Sequence, residues 1–294
     1  MQDTLDGMPR RLWTGTPTKL DTWLSCPRRF RFTYLDRRPK GPPWAHSSVG
    51  SSVHNALRDW WSLPVDGRTP SAAADLVARG WLTDGFRDGA QSALWRDRAA
   101  AMTSAYAARL DPADEPVGVE RTVAAATHGM ALSGRVDRID LRPSADGGTE
   151  LVVVDYKTGR RALDDDDAKS SLALAVYVVA VRRTLRRRCR RVELHHLPGG
   201  TVAGHDHTEQ SLERHLGRAG SIAEEASSAE QAWRSTLSAR AEDAAAGDAD
   251  AIEAIDAVFP AVPGSMCSWC DFRRHCPAGR AASPDLAPWD GLAE

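Results

Sequence analysis

Lysine is scarce in this sequence. Only four lysines occur among the 38 basic residues, at Lys19, Lys40, Lys157 and Lys169, and the other 34 are arginines. Where one cation serves as well as another, this chain therefore uses arginine. Because a compact ammonium differs chemically from a planar guanidinium, a lysine inside a motif is more informative here than usual.

Long hydrophobic runs are missing as well. The longest apolar stretch, 172–181, has ten residues, which is too short to cross a bilayer. The first residues, MQDTLDGMPRRLW, hold no apolar stretch of the signal-peptide type. We therefore expect a cytoplasmic protein that does not bind membranes. The formal net charge is only −2, so a nucleic-acid partner would have to bind a locally basic surface.

Cysteine is infrequent, odd in number and clustered. Three of the five cysteines lie in the segment CSWCDFRRHCP, and Cys26 lies near the other end of the chain. An odd number argues against a disulfide framework. The close spacing of Cys267, Cys270 and Cys276 favours metal ligation instead.

Helical and strand patterns alternate along the chain without an internal repeat, and the composition is that of a globular protein. The pattern predicts one mixed α/β domain over 16–280, with flexible tails at 1–15 and 281–294 and a helical insertion over about 64–112. The predicted helices cover 16–35, 52–63, parts of 70–110, 164–188 and most of 208–258, and the predicted strands cover 118–127, 130–141, 150–157 and 191–200.

The segments GRVDRID and VVVDYKTG give the strongest local signal. Alternate side chains of a strand share a face, so Asp155 and Lys157 point the same way and Tyr156 points the other way. If the preceding strand pairs with this one, Asp137 approaches the same place. Such carboxylates suit Mg²⁺ or Mn²⁺, and an adjacent lysine can orient a water or stabilise developing phosphate charge. A surface ion pair beside an apolar strand is the alternative interpretation.

This hairpin resembles the core of the PD-(D/E)XK nucleases, and its surroundings resemble the RecB-like branch of that family. The resemblance implies a restriction-endonuclease-like fold, a mixed α/β sheet flanked by helices. It also implies a Mg²⁺ or Mn²⁺ site held by His54, Asp137 and Asp155, with catalytic roles for the residues that match the family motifs: Glu120, Asp137, Asp155, Lys157 and Tyr177. The family places Gln one helical turn before that tyrosine, where this chain has Ala173, and Ser170 or Ser171 could substitute for it.

The cysteines extend the resemblance. CPRRF and CxxCxxxxxC resemble the iron–sulfur staple of AddB-type and CRISPR-associated RecB-like nucleases. This implies a 4Fe–4S cluster held by Cys26, Cys267, Cys270 and Cys276. The spacing alone leaves a structural Zn²⁺ on the same thiolates open. Cys189 matches no ligand position, and we expect a free thiol there.

Arginines form two candidate nucleic-acid surfaces. The segment 182–191 holds seven arginines in ten positions, including Arg186 and Arg187, and predicts a surface that follows phosphates. A solvated helix end that complements the helix dipole explains the same run. The resemblance places Arg28, Arg29 and Arg31 near a DNA entrance.

Two tryptophans follow His54 on its predicted helix. Trp60 and Trp61 could stack against unpaired bases. Packing in the core is the alternative, and it is the commoner fate of a tryptophan on such a helix.

The resemblance implies a metal-dependent DNA nuclease, an exonuclease acting on single strands or DNA ends in repair or recombination. A first alternative is a nuclease subunit that works with a helicase subunit, since this chain has no GxxxxGK[ST] phosphate loop of its own. A second alternative is a non-catalytic DNA-binding module stapled by the four-cysteine site. The presence of Asp137, Asp155 and Lys157 argues against the second.

Overall fold

The computed structural model describes residues 12–144, 147–242 and 248–292. Six strands form one mixed sheet, and helices cover both of its faces, which confirms the predicted fold class. The strands are β1 (Trp13–Gly15), β2 (Gly118–Thr127), β3 (Met130–Pro143), β4 (Thr149–Lys157), β5 (Cys189–His196) and β6 (Thr201–Asp206). The helices are α1 (Pro17–Ser25), α2 (Pro27–Phe30), α3 (Ala45–Trp61), α4 (Pro70–Arg79), α5 (Gly89–Ala107), α6 (Asp165–Ser170), α7 (Leu172–Leu185), α8 (Glu209–Glu242), α9 (Asp248–Val258) and α10 (Pro277–Ala282).

Strand β3 organises the sheet because it pairs with three other strands. Strand β2 runs antiparallel along one edge of β3, from Met130 to Ile139. On the other edge, β1 pairs in parallel with residues 130–132 and β4 pairs antiparallel with residues 138–143. Residues 133–137 of that edge therefore lie between two partners, and the sheet is open there. Strand β5 continues the sheet in parallel with β4, and β6 pairs with β5.

The alternation of strand residues separates two cores. Leu151 and Val153 of β4 pack with α7 on one face. Val152 and Val154 pack with α3 and α5 on the other face, so the helical insertion covers this second face. Trp60 and Trp61 are almost fully buried, which assigns both to the core and excludes the base-stacking role.

Two predicted helices are broken in the structure. The predicted helix over 16–35 ends at Ser25 because Cys26 is extended, with φ −169° and ψ 108°, and Pro27 then begins α2. An extended residue before proline is the expected conformation, because the proline ring disfavours a helical neighbour. The predicted helix over 164–188 is likewise divided at Ser171, whose side chain caps α7.

Several predicted boundaries were wrong. Helix α3 begins at Ala45 rather than near residue 52. Strand β6 was not predicted, and its partner β5 ends at His196, before the turn that joins them. The predicted tails are partly ordered: residues 13–15 form β1, and Pro288 O accepts a hydrogen bond from Ala45 N at 3.0 Å. Residues 1–11 and 293–294 of those tails lie outside the described residues. No described helix is both long and apolar enough to span a membrane.

Candidate active site

The opening in the edge of β3 places Asp137 beside the end of β4. The β3–β4 ladder stops at the pair Arg138–Val154, so Asp137 has no backbone partner on β4. Its side chain replaces the ladder: Oδ2 of Asp137 accepts a hydrogen bond from the backbone N–H of Tyr156 at 2.8 Å. The Asp137 carboxylate thus joins β3 to the end of β4 at the site where the sequence predicts that the two strands converge.

Three potential metal ligands converge at this opening. Donor atoms of His54, Glu120 and Asp137 all lie within 4.8 Å of one another. His54 comes from α3, and its Nδ1 lies 3.5 Å from Asp137 Oδ2. Glu120 comes from β2 and has φ +48°, a left-handed conformation that costs a residue other than glycine about 1–2 kcal/mol. A strained acidic residue opposite Asp137 is typical of a functional site.

Asp155 and Lys157 share a face of β4, as predicted, and contact each other. Lys157 Nζ lies 2.6 Å from Asp155 Oδ2, and that oxygen is buried. Asp155 does not belong to the compact donor group, which holds Glu120 in its place. The predicted ligand set of His54, Asp137 and Asp155 remains a prediction.

The electrostatics of the donor group favour a cation. Burial and the Asp137 charge raise the pKa of Glu120, although Arg135 opposes the shift. Burial lowers the pKa of His54, but its hydrogen bond to Asp137 and the nearby carboxylates outweigh this effect and raise it. Carboxylates that repel one another at close range bind a divalent cation well because the cation removes the repulsion. The oxygen-rich donor set with one imidazole therefore fits Mg²⁺ or Mn²⁺.

The donor group opens into a cleft of about 590 Å³. Besides the predicted residues, small polar side chains line this cleft: Thr16, Thr18, Ser47, Ser51 and Asn55. Sequence reasoning missed them. The positions 47, 51 and 55 repeat every four residues and so share one face of α3 with His54 nearby, which was the available signal.

Tyr177 reaches the cleft from α7. Burial raises the pKa of Tyr177 to about 12, and the charges of Asp155 and Asp137 act in the same direction. Ala173 is half-buried one turn earlier on the helix. The hydroxyl of Ser171 accepts a hydrogen bond from Leu174 N and caps α7. The substitution of Ser170 or Ser171 for the missing glutamine stays a prediction.

The four cysteines of the predicted cluster line one cavity of about 60 Å³. The extended conformation of Cys26 between α1 and α2 brings it to the C-terminal segment that carries Cys267, Cys270 and Cys276. Backbone N–H groups already point at two of the sulfurs, from Arg29 to Cys26 at 3.4 Å and from Gly279 to Cys276 at 3.3 Å. Cys189 is buried in the sheet core, where burial raises its pKa to about 12.

The predicted DNA-binding arginines fall into two groups. Arg28 and Arg31 both form ion pairs with Asp256, and Arg31 is only 6% exposed, so packing between α2 and α9 explains them. Arg29 lines the cysteine cavity. Arg186 and Arg187 are exposed, and within the described part of the chain neither forms an ion pair.

A protein-family model for the PD-(D/E)XK nuclease superfamily matches residues 14–277, so the chain belongs to this superfamily of phosphodiester hydrolases. The chain is also similar to the solved structure of a “putative exonuclease” from Eubacterium rectale, with 12% sequence identity and a TM-score of 0.40 over 75% of this chain and 83% of that chain. A comparison with curated proteins found no match.

Proposed function

We propose that this protein is a metal-dependent deoxyribonuclease that acts as an exonuclease on single strands or DNA ends, in repair or recombination. The observation that carries the proposal is the convergence of His54, Glu120 and Asp137 beside the Asp155–Lys157 pair, within the superfamily fold. The predicted cytoplasmic location is part of the same proposal.

The roles of the residues follow from their positions. His54, Glu120 and Asp137 hold the cation, and Asp155 remains a proposed further ligand. The cation supplies Lewis-acid polarisation of the phosphate and neutralises charge that develops on it. Lys157, which is paired with Asp155 and is 43% exposed, positions or activates the attacking water.

Two further polar groups bear on the substrate. Tyr177 lies over the edge of β3 and orients the scissile strand. The hydroxyl groups along α3 and the start of α1 bind the sugar–phosphate backbone rather than base edges, which supports cleavage without sequence preference.

We further propose that the four cysteines hold a 4Fe–4S cluster. Four sulfurs around one cavity fit either a cluster or a zinc ion. A tetrahedral zinc ion with bonds of about 2.3 Å requires sulfurs about 3.8 Å apart. Among the described residues, no three cysteine sulfurs lie within 4.8 Å of one another. A cluster does not require such close spacing, since its cysteine sulfurs bind different iron atoms.

The test is digestion of end-labelled single- and double-stranded DNA with Mn²⁺, using protein purified without oxygen and a visible spectrum of the same sample. Wild type should degrade linear strands and leave circular single strands intact, because an exonuclease needs an end. Lys157→Ala should abolish cleavage, and the control Lys169→Ala, at an exposed lysine of α6, should not. Cleavage of circles would contradict exonuclease action.

The metal content of the wild-type protein and its DNA cleavage together separate the two alternative functions. A cluster-replete wild type that binds Mn²⁺ without cleaving DNA would point to a subunit that requires a helicase partner. A protein with stoichiometric zinc, no brown chromophore and no cleavage would point to a non-catalytic DNA-binding module. Either result would overturn the proposal of an independent exonuclease.

A further inference from the structure

A buried polar chain lies next to the donor group on the face of the sheet that α3 and α5 cover, and the ring of its member Tyr156 lies 5.8 Å from the ring of His54. Its members are Arg138, Tyr156, Tyr106, His195 and Glu193, and each is at most 6% exposed. None of these side chains belongs to the proposed catalytic machinery. Two of them are nevertheless the strand neighbours of catalytic residues: Arg138 follows Asp137, and Tyr156 lies between Asp155 and Lys157.

The ionised Glu193 carboxylate can only accept and Arg138 can only donate, so both ends of the chain have a fixed direction. Arg138 Nη1 donates to the Tyr106 hydroxyl at 3.1 Å, and that hydroxyl lies 2.7 Å from His195 Nδ1, to which it donates when the imidazole is neutral. His195 Nε2 then carries the hydrogen and donates to Glu193 Oε2 at 2.9 Å. Because Arg142 and Arg191 also bind Glu193, this carboxylate stays ionised and ends the chain.

A second branch joins the two catalytic strands. Arg138 Nη1 also donates to the Tyr156 hydroxyl at 3.3 Å, across the place where the backbone ladder between β3 and β4 has stopped. Trp61 Nε1 donates to the same hydroxyl at 3.4 Å. Trp61 is on α3, the helix that also carries His54, so this branch ties the helix to both strands.

These contacts meet a specific need of the site. Beyond the last ladder pair, the Asp137 side chain joins β3 to β4 on the cleft side by accepting a hydrogen bond from Tyr156 N. Asp137 is thus both a proposed cation ligand and a link between the strands, and a second contact between the strands steadies its position. Arg138 and Tyr156 supply that contact, and Tyr106 connects it to the helical insertion.

We propose that the chain Glu193–His195–Tyr106–Arg138–Tyr156 is a positioning network that sets the geometry of the divalent-cation site from the face of the sheet covered by α3 and α5. The inference rests on the proposed function in that it takes His54, Glu120 and Asp137 as ligands. It assigns a role to the helical insertion, whose α5 contributes Tyr106: the insertion holds the metal-binding strands in register.

The experiment measures Mn²⁺ binding directly, by electron paramagnetic resonance or calorimetry, together with the melting temperature. Tyr106→Phe removes one hydroxyl, so His195 Nδ1 loses its hydrogen-bond partner and Arg138 Nη1 keeps Tyr156 as its partner in the network. Residues that orient metal ligands typically change metal affinity by about 10–100-fold, so the dissociation constant for Mn²⁺ should rise by at least about tenfold. Cleavage by Tyr106→Phe should recover toward the wild-type rate when Mn²⁺ is raised to saturation. Tyr156→Phe is the second variant, should the first not fold.

Trp60→Phe is the matched control. Trp60 is a buried neighbour of Trp61 on α3, and its Nε1 donates to Thr69 O at 2.9 Å, outside the network. This variant should melt earlier than wild type and bind Mn²⁺ with unchanged affinity. Equal Mn²⁺ affinity in Tyr106→Phe, Tyr156→Phe and wild type would overturn the inference and leave the nuclease proposal standing. Wild type that binds Mn²⁺ but does not cleave DNA would overturn the nuclease proposal and leave the positioning network standing. Wild type that does not bind Mn²⁺ would overturn both the nuclease proposal and the positioning network.

Discussion

Gly134 lies directly beneath the ring of Tyr177. A Cβ atom at position 134 would come within 2.5 Å of Tyr177 Cε1, closer than real Cβ contacts allow, and within a tight 3.1 Å of its hydroxyl oxygen. Position 134 must therefore be glycine because the Tyr177 side chain of α7 packs against it, across the open edge of β3. The position of Tyr177 in the cleft depends on this contact.

Gly134→Ala should therefore move Tyr177 and slow DNA cleavage. Overpacking of this kind costs about 1–3 kcal/mol of unfolding free energy, which chemical denaturation measures. The double variant Gly134→Ala/Tyr177→Ala should be more stable than the sum of the single effects, because the clash is gone. Additive effects would contradict the contact. Gly217→Ala, on α8 with no heavy atom within 4 Å of the added Cβ, is the control and should stabilise the helix slightly.

Glu120→Gly should separate stability from function. The left-handed backbone of Glu120 is unfavourable for glutamate and free of strain for glycine. The substitution also removes the repulsion between Glu120 and Asp137. We expect a gain of about 1 kcal/mol in unfolding free energy, together with weaker Mn²⁺ binding and little cleavage. A variant that is less stable than wild type would show that the Arg135–Glu120 ion pair, 3.0 Å long with only its arginine exposed, matters more than the strain.

The residues of the site were largely predictable, because the chemistry of β3 and β4 lies in local patterns. Strand alternation is enough to put Asp155 and Lys157 on one face, and family motifs supply His54 and Glu120. The sequence did not predict that Glu120, rather than Asp155, lies in the compact donor group with His54 and Asp137. This arrangement depends on the left-handed backbone of Glu120 and on the ion pair that draws Asp155 toward Lys157.

The open edge of β3 could not be predicted either. It arises because residues 13–15 pair with residues 130–132, a contact between distant parts of the chain that no local pattern encodes. The break at Cys26 is different, since Pro27 signals it in the sequence. At this position the proline outweighs the helical periodicity of the flanking residues, and the helix ends at Ser25.

Cation binding and the stability of the metal-free protein should depend on pH in opposite directions. Burial raises the pKa of both Glu120 and Asp155, and the Asp137 charge adds to each shift. The folded protein thus holds these protons more tightly than the unfolded chain does, so this contribution to stability is lost as pH rises through the raised pKa values. Mn²⁺ needs the deprotonated carboxylates, so its binding strengthens over the same range.

Thermal melting with and without Mn²⁺, as a function of pH, checks this. The increase in melting temperature caused by Mn²⁺ should grow as pH rises from the acid side toward neutrality. Glu120→Gln removes one of the titrating groups and should flatten both pH profiles. A stabilisation by Mn²⁺ that is the same at every pH would mean that these carboxylates do not bind the cation.

Cys270→Ser should remove the chromophore and lower stability and DNA binding together. A cluster that joins Cys26 to the C-terminal cysteines closes a loop of most of the chain. By analogy with disulfides, such a closure contributes about 5 kcal/mol, which is large against a total of about 5–15 kcal/mol for a domain. Cys189→Ala, which leaves a small cavity in the core, should keep the chromophore. Unchanged melting of Cys270→Ser would exclude a staple role.

Arg186 and Arg187 should contribute to DNA affinity without contributing to catalysis. They line a basic cleft with Arg182, Arg188 and Arg190, at the end of the sheet far from Lys157, and have no carboxylate partner among the described residues. Each arginine that neutralises a phosphate releases counterions, so replacing both with alanine should reduce the magnitude of the salt slope of binding by up to about 2.

The control is Arg96→Ala. Arg96 pairs with Asp97 on the helical insertion, and its replacement should leave the salt slope unchanged. Cleavage at saturating DNA should be the same in all three proteins, since none of these side chains reaches the cation site. An unaltered salt slope in the double variant would assign the arginine run to solvation of the end of α7 instead.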